Sequence, residues 1–178
     1  SNGCSATKAV TIVENKETVA VTIGGNEVLT CANPSITLQA NAALADSYRW
    51  NDNSTGATKV VTNAGQRNVT VTYGTCTASA SVNVTENKTA PTITIGGAKD
   101  ITCKTASMVL TASNNAQTPA YRWSGGGTGI NKNVTAAGSY TVTVTDNSNG
   151  CSATKAVTIV ENKETVAVTI GGNEVLTC

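Results

Sequence analysis

Six cysteines are the side chains of this protein best able to form bonds: Cys4, Cys31, Cys76, Cys103, Cys151 and Cys178. They fall into two series. Cys4, Cys76 and Cys151 are spaced 72 and 75 positions apart, and Cys31, Cys103 and Cys178 repeat the same spacing. There is no CxxC pair and no histidine. The pattern therefore reads as disulfides rather than zinc ligands, which places the protein outside the cytosol. Histidine is also the commonest general base. Without it no serine or cysteine has an activating partner, and no carboxylate pair has a recognisable setting. The reading is a protein that is not an enzyme and uses no cofactor or metal.

Other residues have weaker claims to chemistry. Trp50 and Trp123 could stack a ligand, but a tryptophan in this strand context belongs to the core. The 125–127 glycine run has neither a following helix nor a GK[ST] sequence, so it is no phosphate loop. Residues 146–150 (DNSNG) supply one carboxylate, too few for a calcium loop, and read as a hairpin turn. Thr141, Thr143 and Thr145 share a strand face, as do Thr70 and Thr72; a flat threonine row could order ice, but an alternating solvated strand explains it as well.

The elements that must position these residues are strands. Thr and Val dominate, aromatics are 3% and Phe is absent. β-Branched residues suit a half-buried pleated surface, so the fold class is all-β. Charge is nearly balanced, 12 Lys plus Arg against 11 Asp plus Glu, which disfavours nucleic acid as a partner. No apolar run reaches 18 residues, so this segment holds no membrane span.

Two periods organise the chain. Residues 1–31 recur letter for letter at 148–178. Inside that repeat, VTIGGNEVLTC at 21–31 returns as ITIGGAKDITC at 93–103, and Tyr48-Arg49-Trp50 returns as Tyr121-Arg122-Trp123. The large repeat is a pair of similar units. The expected division is 1–16 as the last strand of a preceding unit, 17–88 as one unit, 89–163 as a second, and 164–178 as the first strand of a following unit. Each complete unit reads as about seven short strands. In the second these start at 92–95, with a kink at Gly96-Gly97 before a second half near 100–103. Then come 107–112, 120–123, a short strand pair in 130–134, 139–145 and 152–160. Tyr121 and Trp123 share a face, as do Tyr48 and Trp50.

The order LTC or ITC, a strand ending LTA or LQA, Tyr-x-Trp, then Ala-Gly-x-Tyr-Thr-Val-Thr-Val-Thr-Asp and Gly-Cys-x-Ala-Thr-x-x-Val-Thr-Ile resembles the tandem immunoglobulin-like modules of very large secreted or surface proteins of Bacteroidota-type bacteria, adhesins and gliding-associated proteins among them. The resemblance covers the whole chain. It implies tandem Ig-like β-sandwiches at an extracellular or cell-surface location, with Trp50, Trp123, Tyr48, Tyr121 and Tyr140 in the cores. Arg67 stands where the second unit has Tyr140, so a tyrosine-corner bond is expected in one unit only.

Two disulfide schemes stay open. Pairing within units joins Cys31 to Cys76 and Cys103 to Cys151, closing loops of about 45 residues worth about 4 kcal/mol of denatured-state entropy each. Against it, Cys103 ends the first strand and Cys151 starts the last, which in an Ig sandwich are opposite ends. Ten strand residues span about 33 Å, while bonded cysteines have Cα atoms within about 7 Å. Pairing between units, such as Cys31 with Cys151, avoids that conflict. Under either scheme Cys4 and Cys178 are expected to find partners outside these residues.

The function these readings favour is a structural segment of a long extracellular fibre, stalk or filament. Its partners would be neighbouring repeats of the same protein, as an array or homopolymer, with a cell-surface or matrix ligand as a further candidate. The alternatives are an adhesin module gripping glycan or protein through its loops, and short subunits polymerised by strand exchange.

Overall fold

The structure, a computed structural model, describes residues 2–11, 18–165, 167–169 and 171–172. Its regular elements are all β-strands. They divide into two units, residues 1–29 with 33–86, and the segment Thr30–Ala32 with residues 87–178.

The first unit contains β1 (Val21–Gly25), β2 (Val28–Thr30), β3 (Ile36–Ala42), β4 (Ser47–Trp50), β5 (Thr58–Val61), β6 (Gly65–Tyr73) and β7 (Cys76–Asn87). They form two sheets, β1-β3-β5 and β2-β7-β6-β4. Alternation sets the facing. In β3, Ile36, Leu38 and Ala40 are buried while Thr37 and Asn41 are exposed. Period-2 burial of this kind is what a strand with one core face requires. The core lies between the sheets, with Leu38 and Val61 from one meeting Leu29, Trp50, Val69, Val71 and Val84 from the other.

The second unit repeats the plan with β8 (Ile93–Gly96), β9 (Asp100–Thr102), β10 (Met108–Asn114), β11 (Pro119–Trp123), β12 (Asn131–Val134), β13 (Gly138–Asp146) and β14 (Cys151–Asn162). Its sheets are β12-β10-β8 and β11-β13-β14-β9. β9 runs parallel to β14, with Asp100 opposite Val160 and Thr102 opposite Asn162. Its core of Ile101, Met108, Leu110, Ala112, Trp123, Val134, Val142, Val144 and Ile159 matches that of the first unit position for position. Region 130–134 holds one strand rather than a pair, because four of its five residues are taken up by the ladder of β12 on β10.

One glycine in each unit lets the first strand cross between sheets. Gly25 and Gly97 both have φ 123°, and a Cβ on either would stand 2.6 Å from a backbone carbonyl, that of Thr37 or Val109. The chain kinks there, so β1 and β8 join one sheet while β2 and β9 join the other. The sequence expectation of a kink at Gly96-Gly97 rests on this geometry.

Residues 2–11 form no strand and are exposed. Their letters are those of 149–158, most of which form β14 against β13. A strand needs a ladder on at least one side. Residues 2–11, part of the 1–16 stretch expected as the last strand of a preceding unit, have no such ladder among the described residues. The described residues of 164–178, expected to open a following unit, likewise form no strand; the remaining residues of that stretch, Cys178 included, lie outside the described residues, as do 12–17.

Candidate functional site

The hairpin between β13 and β14 carries most of the unusual chemistry in the chain. Asp146 ends β13 and is buried at 6% exposure. Its carboxylate accepts from the amides of Gln117 (3.0 Å), Thr118 (3.2 Å) and Ser148 (3.0 Å), and from the Thr118 hydroxyl (3.1 Å). The Gln117 amide first, then the Ser148 hydroxyl and amide and the Thr118 amide, hold the Asp146 carboxyl well below the usual carboxylate range. These donors satisfy the group that a calcium ion would need.

Asn149 extends the network. It is 4% exposed. Its amide nitrogen donates to Asn87 Oδ1 and to the Thr89 carbonyl, each at 3.1 Å, and its Oδ1 accepts from the Cys151 amide at 2.8 Å. The hairpin is thereby tied to the segment that enters β8, and Cys151 is held at the head of β14. Every buried polar side-chain atom among the described residues has a partner, as burial demands.

Cys151 is bonded to Cys31, with an S–S distance of 2.02 Å and Cα atoms 5.0 Å apart, across 120 positions of sequence. Cys31 lies in the chain between β2 and β3 of the first unit, yet Thr30–Ala32 belongs to the second. The chain thus leaves one sandwich, gives three residues to the other unit and returns. The Ala32 amide donates to the Asn149 carbonyl at 3.1 Å. Gly150 makes room for it: its φ is 74°, and a Cβ there would come within 2.6 Å of Ala32 Cβ. A residue other than glycine would meet both a strained backbone and an occupied space.

The pairings Cys31–Cys76 and Cys103–Cys151 are therefore not those of this structure. The parallel register of β9 and β14 gives the reason. Thr102 sits opposite Asn162, at the far end of β14 from Cys151. Eleven strand positions span about 36 Å, far beyond disulfide reach. Cys4, Cys76 and Cys103 are free thiols here, exposed, half-buried and exposed respectively. Cys103 sits at the head of a tight turn, where Thr102 and Thr105 exchange backbone hydrogen bonds at 3.2 Å. Cys76 opens β7 opposite Tyr73, as Cys151 opens β14 opposite Asp146.

The shorter hairpin of the first unit is capped differently. Its carboxylate comes from Asp46, ahead of β4, which accepts from the Gly74 amide at 2.7 Å. Sequence reasoning noticed the carboxylate of Asp146 only as a calcium-ligand candidate, and missed Asp46. Asp146 stands beside its hairpin in sequence, but Asp46 lies 28 positions from Gly74 and leaves no local signal.

The aromatic residues lie where packing needs them. Trp50 and Trp123 are 1% and 2% exposed. Each indole N–H donates at 2.9 Å to a carbonyl six residues on, Gly56 and Gly129 respectively. The Lys59 ammonium stands 5.9 Å from the Trp50 ring centroid and pairs with Asp52. Tyr48, Tyr121 and Tyr140 are partly buried against the two cores. The Tyr140 hydroxyl donates to the Ala136 carbonyl at 2.9 Å. Arg67 makes the same link in the first unit, donating to the Asn63 carbonyl at 2.8 Å, again four residues back. A corner bond thus exists in both units, with a guanidinium in place of the phenol in one. Thr70 bonds Ser79 across the sheet at 3.0 Å, as cross-strand hydroxyl pairs do.

Strand order and matching cores define both units as immunoglobulin-like sandwiches of seven strands, and the second shows the parallel closing strand of β9 on β14. No family model matches the chain, and no curated protein matches it. Among solved structures it is similar to the three N-terminal domains of the bacteriophage RB49 Highly Immunogenic Outer Capsid protein (Hoc), at 21% identity and TM-score 0.49 over 81% of this chain and 59% of that one. It is similar to the amphioxus IgVJ-C2 molecule at 17% identity and TM-score 0.34, over 71% of this chain and 96% of that one. It is also similar to the titin domains z1z2 in complex with telethonin, at 13% identity and TM-score 0.37, over 85% of this chain and 100% of that one. The likeness is one of fold, and the chain spans 59% of the length of the Hoc fragment. Among the described residues no helix is long and apolar enough to cross a membrane.

Proposed function

We propose that this chain is a structural segment of a long extracellular filament or stalk built from disulfide-bonded immunoglobulin-like units. The observation that carries the reading is the bond between Cys31 and Cys151. It takes a cysteine from between two strands of one sandwich and fixes it in the unit that contains the other. In a chain of units the bond takes the residues between the two cysteines out of the force path, so an unfolded sandwich does not lengthen the chain. The letter-perfect recurrence of residues 1–31 at 148–178 supports a repeating assembly with a period of two units. A disulfide of this kind persists in oxidising compartments, which suits the cell exterior. The partners are then further repeats of the same protein.

Electron micrographs of the native protein test this. The expected images are rods or fibres with an axial period of two units. Compact isolated particles, or a period unrelated to two units, would overturn it.

A further inference from the structure

We propose that the first unit carries a binding cleft for an acidic sugar, a uronate residue of an anionic polysaccharide, gripped through its carboxylate by Arg67.

The cleft has a volume of about 320 Å³, and Asn51, Asp52, Lys59, Val60, Asn63 and Arg67 are among the residues that line it. All of them belong to the first unit. Two cations stand there against one anion, and a cleft lined by an excess of one charge concentrates its field. Lys59 is already engaged: its ammonium pairs with Asp52 and donates to the Ser54 hydroxyl at 2.9 Å. Arg67 is only partly engaged. Its guanidinium donates to the carbonyls of Gln66 at 3.1 Å and Asn63 at 2.8 Å. A guanidinium has five N–H groups in a planar fork, so three remain for a ligand. Gly65 leaves the fork its place, since a Cβ there would stand 3.3 Å from Arg67 Nη1. A planar cation held at two points, with N–H groups to spare, matches a carboxylate, which it binds through two parallel hydrogen bonds.

Asp52 narrows the class further. It repels a ligand that offers carboxylates alone. A uronate brings its carboxylate and its hydroxyls on one ring. The carboxylate meets Arg67, the hydroxyls donate to Asp52 and exchange hydrogen bonds with the Asn51 and Asn63 amides, and a C–H face rests on Val60, which is exposed. The volume lies at the lower end of the range of about 300–1,000 Å³ for small-ligand pockets, which suits a sugar ring.

The second unit supplies the contrast. Residues 51–67 match 124–140 without a gap, between Trp50 and Val69 in one core and Trp123 and Val142 in the other. The loop keeps its backbone bond: the Trp50 amide donates to the Ser54 carbonyl at 2.9 Å, and the Trp123 amide to the Gly127 carbonyl at 3.0 Å. The lysine is kept as Lys132, but there it donates to the carbonyls of Gly125 and Gly126. Asp52, Val60, Asn63 and Arg67 give way to Gly125, Asn133, Ala136 and Tyr140. The same sandwich is thus built without these four side chains, and packing alone does not call for them.

The test is an NMR titration of the isotopically labelled 178-residue chain with oligogalacturonate, set beside uncharged oligogalactose and an oligoglutamate peptide. Saturable binding of oligogalacturonate is expected, with the largest shifts among the amides of residues 51–67 and at the Arg67 Nε–H, weakening as salt is added; the uncharged sugar should not bind. Arg67→Tyr keeps a corner bond of the kind Tyr140 makes and removes the cation. It should weaken binding about tenfold or more. Arg67→Lys, which keeps the charge but not the fork, should fall between the two. Four results would overturn the proposal: no saturable binding by the parent chain, equal binding by Arg67→Tyr and Arg67→Lys, shifts centred away from the cleft, or oligoglutamate bound as tightly as oligogalacturonate, which would make the cleft a seat for acidic protein. None of these results bears on the filament reading, which uses no residue of the cleft.

Discussion

Pulling on the two ends of the chain should stretch only part of it. The force path runs along the chain to Cys31, across the disulfide to Cys151, and on toward the other end. The residues between are by-passed. The bond spans 120 positions. At about 3.3–3.6 Å per extended residue, it shields about 400–430 Å of contour length. In the chain-entropy model, closing a loop of that size also removes denatured-state entropy worth about 5 kcal/mol at 25 °C.

The assay is single-molecule force spectroscopy with handles at the two termini, first without reductant and then with it. Without reductant, extension should stop at the length of the residues outside the bond. After reduction, about 400 Å should be released when the sandwiches unfold. A Cys31→Ser variant should show the full length from the start. Pairing within units predicts something different. Cys31–Cys76 and Cys103–Cys151 would shield two separate stretches of about 150–170 Å each, released independently. Two such steps, or full extension without reductant, would refute the reasoning.

Three further outcomes follow from the same geometry. Gly150→Ala should destabilise the second unit by about 2–4 kcal/mol, combining left-handed strain with the clash against Ala32. Gly74→Ala, at φ 56° with nothing within 4 Å of its Cβ, should cost only the strain, about 1–2 kcal/mol; denaturant unfolding of the two variants side by side checks both. The Asp146 carboxyl is depressed in the fold, so its contribution is fully present above about pH 4 and is lost as pH falls toward its folded value. Denaturant midpoints at pH 7 and pH 3 should differ for the parent and differ less for Asp146→Ala. Trp123→Ala should cost about 3–5 kcal/mol, and Trp123→Phe about 1–3 kcal/mol by leaving the Gly129 carbonyl without its donor, both read by unfolding of the second unit.

Much of the fold is legible in the residues, for a local reason. Each strand carries its own period-2 record of which side faces the core, and Ile36, Leu38 and Ala40 show it as plainly as Val142 and Val144. The glycine kink is legible too, because only glycine tolerates the φ of Gly97. The disulfide pairing is not. Cysteine spacings of 72 and 75 fit pairing within units and between them equally well. What decides is the parallel register of β9 on β14, a contact between segments about 60 positions apart, and no local pattern reports it. The Arg67 corner escaped for a different reason. Two side chains of unlike chemistry, a guanidinium and a phenol, reach the same carbonyl four residues back. A reading by residue type sees a substitution where the geometry keeps a bond.

The recurrence of one sequence in two conformations bears on where a unit begins. Residues 4–11 and 151–158 are identical, and the second set forms β14 while the first forms no strand. Propensity therefore does not make this segment a strand. β13 does, by pairing with it from Cys151 to Ile159, and β9 lines the opposite edge near its end. Val157 and Ile159 gain a core to face only through that pairing. The structural unit and the sequence repeat accordingly have different edges. The second copy of the repeated stretch opens in the hairpin before β14, and the first copy contains β1 and β2 and ends at Cys31. Cys31, after β2, and Cys151, at the head of β14, are bonded to each other.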